Sequence, residues 1–448
     1  MISFIKGLLH GLLAPTLYAG VWLTFLAGTL KRAEWTLYLL AILAPLPVIW
    51  YQLHPFPMGK DTMDILIAGT FLGILINKGG FDRAPSAFPI GVFMLISFLA
   101  VWNSTLRFGL PLPFTTANPL LADWKNYVEM IFLYFLAYNA LKNEEQQKIM
   151  LVTIAAVFLL ISVREFRNFS EGAAFSYDRR VEGPFWILGL GANHIGAFVA
   201  HYGGLLLGMA FIDKHKYRRW LYLAGVGFSL HPLFFSYSRG AYVGALAVIV
   251  LYGFLKKRSL LLVVALLVFT WHVVLPETVV ERIAMTEDAS GQIESSAAQR
   301  VVLWEHALRL FQDNFLFGIG FNSFGFTVEP GSLTDTHNFY MKTAAEQGLI
   351  GLIVLALVLV RALVSGWRLY REGHTEFHRA LGFGFVGCTV AVMMTNVFGD
   401  RFSYFVMATN YWIVWGMVDR SVTLARTARE TVSETVPEQP TQTATKPS

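Results

Sequence analysis

The chain has 448 residues, of which 55% are hydrophobic and only 15% are charged, and its formal net charge at pH 7 is +5. Soluble domains carry roughly 25% charged residues, so this composition excludes an ordinary soluble enzyme. The single cysteine, Cys388, excludes a disulfide framework and a Cys-based zinc site. The basic residues stand in short clusters between apolar segments, which is typical of orientation in a membrane and predicts no nucleic-acid partner.

Apolar runs occupy most of the chain up to residue 418. About thirteen of them approach the ~20 residues that a helix needs to cross the hydrocarbon of a bilayer. They lie near residues 9–30, 35–51, 63–78, 87–103, 124–141, 148–163, 185–212, 219–236, 240–255, 259–275, 341–364, 381–399 and 402–418. Because lipid offers no partner to an unpaired backbone group, such runs must be helical. The sequence therefore predicts an all-α polytopic membrane bundle over residues 1–428, with 12–14 transmembrane helices.

Clusters of lysine and arginine set the predicted orientation. They follow the odd-numbered runs, as in Lys256-Lys257-Arg258 after the ninth, which predicts that the odd-numbered connections are cytoplasmic. The even-numbered connections then face outward, and the longest of these is 276–340. The final segment, 429–448, is rich in Thr, Glu, Pro and Gln and is predicted to be a disordered cytoplasmic tail.

The outward loop 276–340 is too long for a simple connector and is predicted to carry function. Within it, the segment 298–312 places Val302, Leu303 and Leu308 at near-helical spacing. This spacing predicts an amphipathic helix on the membrane surface.

Arginines occur at outward positions that the positive-inside tendency disfavours. Arg180 precedes the seventh run, Arg239 lies in a tight turn between two runs, and Arg300 opens the predicted loop helix. An arginine between membrane helices is unfavourable unless it is paired or reaches water. One interpretation is a bound phosphate, which a guanidinium holds with two parallel hydrogen bonds. The other is a structural ion pair with a carboxylate or a lipid head group, and Arg179 is interpreted as a solvated neighbour.

Two further ionisable residues are candidates for the same site. His337 lies in the outward loop outside its helix and is a candidate general base, with a purely structural histidine as the alternative. Glu129 lies within the fifth run, where it either pairs with a basic residue or serves the site. His201 and the other histidines of apolar runs are expected to be satisfied by neighbouring helices.

Motifs for soluble activated substrates are missing from the sequence. It contains no GxxxxGK[ST] loop, no GxGxxG after a strand and no HExxH. We therefore expect that the protein does not use ATP, a nucleotide sugar or zinc, and a transferase on the outer face would need a donor that is already activated in the membrane. A lipid diphosphate is such a donor.

Four ordered stretches, spanning roughly 180–351, resemble the O-antigen ligase and O-antigen polymerase superfamily of bacterial inner membranes. They are Arg180-x-x-Gly183 with Asn193 and Gly196; Ser238-Arg239-Gly240-Ala241-Tyr242; Ser296 to Arg300 with Trp304, Ala307 and Gly318-x-Gly320-Phe321-x-x-Phe324; and His337-Asn338 with Glu346-x-Gly348-x-x-Gly351.

The resemblance implies an inverting, metal-independent glycosyltransferase with a GT-C-like membrane fold and its active site on the periplasmic face. The implied donor is an undecaprenyl-diphosphate-linked glycan, and in a ligase the acceptor is a sugar hydroxyl of lipid A–core.

On this hypothesis the diphosphate is held by arginines and the acceptor is deprotonated by a histidine. Arg180, Arg239 and Arg300 bind the diphosphate, and His337 is the base. Supporting roles fall to Ser238 and Tyr242 beside the diphosphate and to Asn338, which orients the histidine or a sugar.

Two alternatives stay open at this point. A polymerase of O-antigen or exopolysaccharide repeat units needs the same donor chemistry as a ligase. A transporter or flippase of lipid-linked sugars belongs to another class, but transporters tend to have repeated halves and ionisable residues near mid-membrane, whereas here the unusual polar residues gather on one face.

Overall fold

The computed structural model describes residues 2–170, 180–284, 295–329 and 333–435. Helices make up almost all of the regular structure in these ranges, and no strand occurs in them. The helices are α1 (Ile2–Leu30), α2 (Glu34–Leu43), α3 (Pro47–Trp50), α4 (Thr62–Lys78), α5 (Ala87–Phe108), α6 (Pro119–Ala140), α7 (Glu144–Ser170), α8 (Ala192–Ile212), α9 (Lys216–Phe235), α10 (Arg239–Leu255), α11 (Ser259–Val274), α12 (Glu277–Ala284), α13 (Ser295–Asp313), α14 (Phe339–Glu372), α15 (Glu376–Thr395) and α16 (Phe405–Thr435).

Each of the thirteen predicted apolar runs falls on a helix, so the all-α polytopic prediction is confirmed. The predicted count of 12–14 spans is higher than the structure supports by length and composition. Six described helices are long and apolar enough to cross a membrane, or eight if each of two sharply bent helix pairs counts as one span. α4 and α10 have only 17 residues each, and α6, α9 and α16 are long enough but too polar or too charged to qualify. A bend of 101° divides the second run, and a bend of 109° follows the tenth.

The centre of the bundle is a close contact between α8 and α15. A Cβ on Gly208 would lie 2.6 Å from the Cα of Gly384, so only glycine lets these two helices approach so closely. The Tyr252 hydroxyl of α10 donates to the Gly204 carbonyl oxygen at 2.8 Å and joins the third helix to the pair. Such contacts between small residues hold membrane helices together by dispersion and hydrogen bonding, and they fix the relative positions of the ends of α8, α10 and α15.

A break in α14 forms a second packing centre. Gly348 has non-helical dihedral angles (φ 65°, ψ −162°), and the segment 315–321 runs beside the break. The Ile319 amide donates to the Ala345 carbonyl oxygen at 2.9 Å, and the Leu349 amide donates to the Phe315 carbonyl oxygen at 2.8 Å. Two glycine motifs that are separate in sequence thus meet in one backbone contact.

The loop helix predicted over 298–312 is present as α13. Leu303 and Ala307 are buried against Phe324 and Ala345, which anchors the helix to the start of α14. Val302 is 61% exposed. The apolar residues are therefore divided between a face packed on the protein and a face turned outward, whereas the sequence predicted a single membrane-facing stripe.

The last helix, α16, continues to Thr435. The disordered cytoplasmic tail over 429–448 stays a prediction. Arg426 and Glu430 are one helical turn apart and form an ion pair, with Nε and Oε1 at 2.8 Å. This ion pair favours the helical conformation around residue 429. Residues 436–448 lie outside the described part of the chain.

Replacing Gly348 by alanine tests the packing centre at the break. A Cβ there would lie 2.4 Å from the carbonyl carbon of Leu316, and the positive φ disfavours any L side chain. We expect Gly348→Ala to destabilise the protein by at least about 1–3 kcal/mol, seen as a lower melting temperature in detergent. The matched control is Gly227→Ala on the exposed face of α9, where a Cβ meets nothing within 4 Å and no decrease is expected. Equal melting temperatures for both variants would contradict the role of the break.

Candidate functional site

A cavity of about 370 Å³ lies where the ends of α8, α10 and α15 meet α12 and α13. The described residues that line it contribute five guanidinium groups and no carboxylate. The five arginines are Arg180, Arg239, Arg282, Arg300 and Arg401. Three of them are the arginines predicted from the sequence to bind a phosphate, so the fold brings those three together.

Arg180 is fixed by backbone and side-chain acceptors. Its Nε and one terminal nitrogen donate to the Ser236 carbonyl oxygen at 2.9 and 2.7 Å, and the same terminal nitrogen donates to Asn193 Oδ1 at 2.8 Å. The adjoining Val181 amide donates to the Phe235 carbonyl oxygen at 3.0 Å. Arg180 thus ties its own segment to α8 and to the turn before α10. Arg179 lies outside the described residues.

Arg239 is the first residue of α10, and Ser238 is the residue that precedes the helix. Gly240 is required for packing here, because a Cβ would lie 2.6 Å from the Cβ of Phe398. The first amide groups of a helix have no partner within the helix and carry a partial positive charge. Since Ser238, Arg239 and Gly240 all line the cavity, the N-terminus of α10 adds its dipole to the guanidinium groups.

The two predicted supporting residues in this turn have different surroundings. Ser238 lines the cavity and is 5% exposed. Tyr242 is not among the described lining residues, and its hydroxyl donates to the Phe234 carbonyl oxygen. The contact therefore holds α9 against α10, which is a structural role at the back of the turn. Tyr237 lines the cavity in its place, with a left-handed φ of 50°.

Arg282 and Arg401 were missed by the sequence interpretation. Arg282 belongs to α12 and is 6% exposed, with its Nε 3.5 Å from the Tyr237 carbonyl oxygen. Arg401 follows the twelfth run, so it stands in a connection that the charge pattern predicts to be outward. The same signal that identified Arg239, a basic residue at an outward position, was therefore present in the sequence for Arg401.

Arg401 is almost fully buried. The residue is 7% exposed, and its Nε has no hydrogen-bond partner among the described residues. The neighbouring Asp400 carboxylate is occupied by Lys342 Nζ at 3.1 Å and by the Ser403 hydroxyl at 2.6 Å. Burial lowers the pKa of Arg401 to about 10, so the side chain still carries its charge at neutral pH. A buried, charged donor without an acceptor is costly, and an anion in the cavity would satisfy it.

His337 lies beside this cavity, although it is not among the residues that line it. Its backbone is in the left-handed region (φ 51°), and its amide donates to Asp335 Oδ1 at 3.1 Å. Burial lowers the pKa of the imidazole; Asp335 raises it, while the charges of Arg300 and Arg401 lower it. The net effect is a pKa below the ordinary 6.5, so the imidazole is neutral at pH 7 and able to accept a proton.

Asn338 caps α14. Its Oδ1 accepts hydrogen bonds from the Tyr340 and Met341 amides at 3.0 and 3.1 Å. Thr336 donates to the Asn338 carbonyl oxygen at 2.8 Å, and Trp304 of the loop helix donates to the Thr336 carbonyl oxygen at 2.9 Å. These bonds hold the strained backbone at His337 between α13 and α14, so Asn338 positions His337 through the backbone.

A second cavity of about 290 Å³ lies between α6, the start of α14, the segment after α13 and the residues before α16. Its described lining mixes aromatic rings with carboxylate, amide and hydroxyl groups: Asp123, Asn126, Tyr127, Phe321, Asn322, Phe339, Lys342, Thr343, Glu346, Gln347, Ser403 and Tyr404. Gln347 is 6% exposed and its Oε1 has no partner among the described residues. The Glu346 carboxylate accepts from the Asn322 and Phe324 amides at 2.9 and 3.2 Å and shapes the wall.

Two other ionisable residues have structural partners. Glu129 pairs with Lys125 one helical turn away, with Nζ and Oε1 2.9 Å apart, and it lines neither cavity in the described part of the chain. The alternative in which Glu129 pairs with a basic residue therefore agrees with the structure. His201 Nε2 lies 2.6 Å from the Thr395 hydroxyl of α15, as expected for a histidine satisfied by a neighbouring helix.

Residues 224–356 match the family model described as O-Antigen ligase. The match confirms the resemblance of the sequence motifs to the O-antigen ligase and polymerase superfamily. It contains Arg239, Arg300 and His337, whereas Arg180 and Arg401 lie outside it. A search of curated proteins gave no match to this chain.

Proposed function

We propose that this chain, which carries an O-antigen ligase domain over residues 224–356, transfers a glycan from a lipid diphosphate to a sugar hydroxyl with inversion at the anomeric carbon. The observation that carries the proposal is the cavity with five guanidinium groups and no carboxylate among its described lining. The donor is an undecaprenyl-diphosphate-linked glycan, and the site faces the periplasm across the inner membrane. The orientation rests on the charge pattern, because Arg239, Arg300, His337 and Arg401 all stand in connections predicted to face outward.

The cavity suits a diphosphate leaving group. Breaking the bond between the anomeric carbon and the phosphate oxygen leaves a lipid diphosphate with an additional negative charge. Guanidinium groups hold phosphate oxygens with paired, charge-assisted hydrogen bonds, and the N-terminus of α10 adds amide donors. Because these groups are already in place before the reaction, they stabilise the developing charge without reorganisation. The buried Nε of Arg401 gains the acceptor that it lacks among the described residues.

His337 is the proposed general base. The acceptor oxygen attacks the anomeric carbon from the face opposite the diphosphate, and its proton passes to the imidazole as the new glycosidic bond forms. A histidine in this role typically contributes 10²–10⁴-fold to the rate. The lowered pKa of His337 supports it, because the neutral form needed by a base prevails at pH 7.

The acceptor sugar binds in the second cavity. Its mixture of aromatic rings, carboxylates and amides is typical of a surface that recognises sugar hydroxyls, since each hydroxyl both donates and accepts. Trp304, which lines the cavity of the arginines, donates to the Thr336 carbonyl oxygen, and Phe339 lines the second cavity. The segment 336–339, which carries His337, therefore has contacts with the lining of both cavities, and this supports its assignment as the base.

The acceptor distinguishes the two enzymatic alternatives. We favour lipid A–core, which makes the protein a ligase. Purified protein, defined lipid-linked glycan and candidate acceptors offered singly provide the test. Transfer to lipid A–core supports a ligase, and elongation of a second lipid-linked unit supports a polymerase. Movement of the donor across a vesicle membrane without a new glycosidic bond would contradict both.

Arg401→Gln tests the diphosphate site at a residue that the family match does not contain. Loss of one preorganised donor to a developing anion lowers rates by about 10²–10³-fold, and we expect a loss of this size in glycan transfer. Arg401→Lys keeps the charge but not the planar pair of donors, so it should restore only part of the activity.

The control for this experiment is Arg368→Gln, in an exposed pair with Glu372 at the opposite, predicted cytoplasmic end. It should transfer normally. Melting temperatures in detergent should be compared for all variants, so that a loss of folding is recognised. Full transfer by a folded Arg401→Gln protein would overturn the assignment.

The pH dependence of transfer tests His337. Activity needs the neutral imidazole, so kcat/KM should be constant near neutrality and decrease on acidification through a pKa below 6.5. Asp335→Asn removes a negative charge that raises this pKa but keeps an oxygen for the His337 amide. In this variant the decrease of kcat/KM at acidic pH should therefore move to lower pH. His337→Ala should remove this pH dependence together with most of the activity. The same pH profile in Asp335→Asn as in the unmodified protein would contradict His337 as the titrating base.

Gln347→Met tests the acceptor cavity, because it keeps the side-chain volume and removes the amide. We expect the KM for the acceptor to rise about two- to tenfold, which corresponds to one hydrogen bond of about 0.5–1.5 kcal/mol. The KM for the lipid-linked donor should stay constant. A change in the donor KM alone would assign the second cavity to the donor glycan instead.

A further inference from the structure

A cluster of potential metal ligands lies at the predicted cytoplasmic end of the bundle, apart from both cavities. Glu144 stands at the start of α7, His374 in the connection between α14 and α15, and His378 in the first turn of α15. One ligand atom from each residue lies within 4.8 Å of the other two. The His374-x-x-x-His378 spacing is also one found in zinc sites.

The amide of Gln147 determines which nitrogen of His378 carries the proton. Gln147 Nε2 donates to the Leu141 carbonyl oxygen at 3.4 Å, and this oxygen can only accept. Gln147 Oε1 therefore faces His378 Nε2, 3.1 Å away, so the N–H of Nε2 donates a hydrogen bond to it. The remaining nitrogen, His378 Nδ1, then presents a lone pair, as in histidines whose second nitrogen is oriented for a metal.

The group nearest to this lone pair is the Glu144 carboxylate, which is itself an acceptor. His378 is fully buried, and its Nδ1 has no hydrogen-bond partner among the described residues. It lies 3.6 Å from Glu144 Oε2, which is longer than the roughly 2.7–3.2 Å of an N–H···O hydrogen bond. A proton on Nδ1 would also create a buried positive charge near the Lys148 ammonium group, which already holds Glu144 Oε1 at 2.7 Å.

A cation between His378 Nδ1 and Glu144 Oε2 would give both of these electron-pair donors a favourable partner. Ligand atoms about 2.1 Å from a tetrahedral zinc ion are separated by about 3.4 Å, close to the observed 3.6 Å. Glu144 Oε1 binds Lys148, the carboxylate also accepts from the Thr375 hydroxyl, and Oε2 lies next to His378 Nδ1. His374 is exposed at the surface, so it can complete the site without moving the core.

We propose that Glu144, His374 and His378 bind a divalent transition-metal ion of the zinc class, with water as the fourth ligand. The ion fastens α7 to the connection between α14 and α15. It lies at the opposite end of the bundle from the proposed transfer site, so it is a structural site that takes no part in glycan transfer and does not depend on the proposed function.

The experiment measures zinc binding by the full-length protein in detergent, purified without a histidine tag and stripped with a chelator. We expect one zinc ion per chain by elemental analysis and a higher melting temperature after zinc is restored. His374→Ala changes an exposed side chain and should weaken zinc binding at least tenfold and abolish the thermal shift.

The matched control is His215→Ala, an exposed histidine of another connection predicted to be cytoplasmic, which should bind zinc like the unmodified protein. Absence of stoichiometric zinc in the unmodified protein, or equal zinc affinity of the His374→Ala and His215→Ala variants, would overturn the site.

Discussion

The arrangement of the site depends on holding like charges together. Five guanidinium groups repel one another, and burial makes the repulsion stronger than it would be in water. The scaffold therefore has to be rigid: Arg180 is fixed to the Ser236 carbonyl oxygen, and glycines bring α8 within contact of α15. The same positive charges that repel one another would attract a diphosphate. The buried glycine contacts of the bundle thus hold in place the helix ends that carry the arginines.

The sequence predicted the helices and the first three arginines because both follow from single-residue energetics. An apolar run must be helical in lipid, and an arginine at an outward turn has no favourable neighbour in sequence. Arg401 carries the same signal, but an aspartate stands beside it in a connection of only a few residues. Only the three-dimensional contacts show that the carboxylate of this aspartate binds Lys342 and Ser403.

The glycine motifs illustrate what the sequence could not explain. Gly318, Gly320 and Gly348 were identified through a family pattern, with no local reason for glycine at those positions. The reason is tertiary: the segment after α13 lies against the break in α14, where a Cβ on Gly348 would meet the backbone of Leu316. Periodicity describes one segment at a time, so it predicted α13 but not which of its faces is buried. The assignments of Tyr242 and Asn338 were limited in the same way, since both residues serve backbone groups that sequence patterns do not place.

His337 lies among charges of both signs. The charges of Arg300 and Arg401 lower the pKa of its imidazole, whereas those of Asp335 and Asp400 raise it. On the proposed function, a bound diphosphate adds negative charge among the arginines and opposes their lowering of the His337 pKa. A higher pKa makes the imidazole a stronger base, provided that it stays neutral at the working pH. Donor binding thus strengthens the base that activates the acceptor, whereas without a donor the arginines keep it weak. The same charges that hold the leaving group therefore link deprotonation of the acceptor to the presence of the donor.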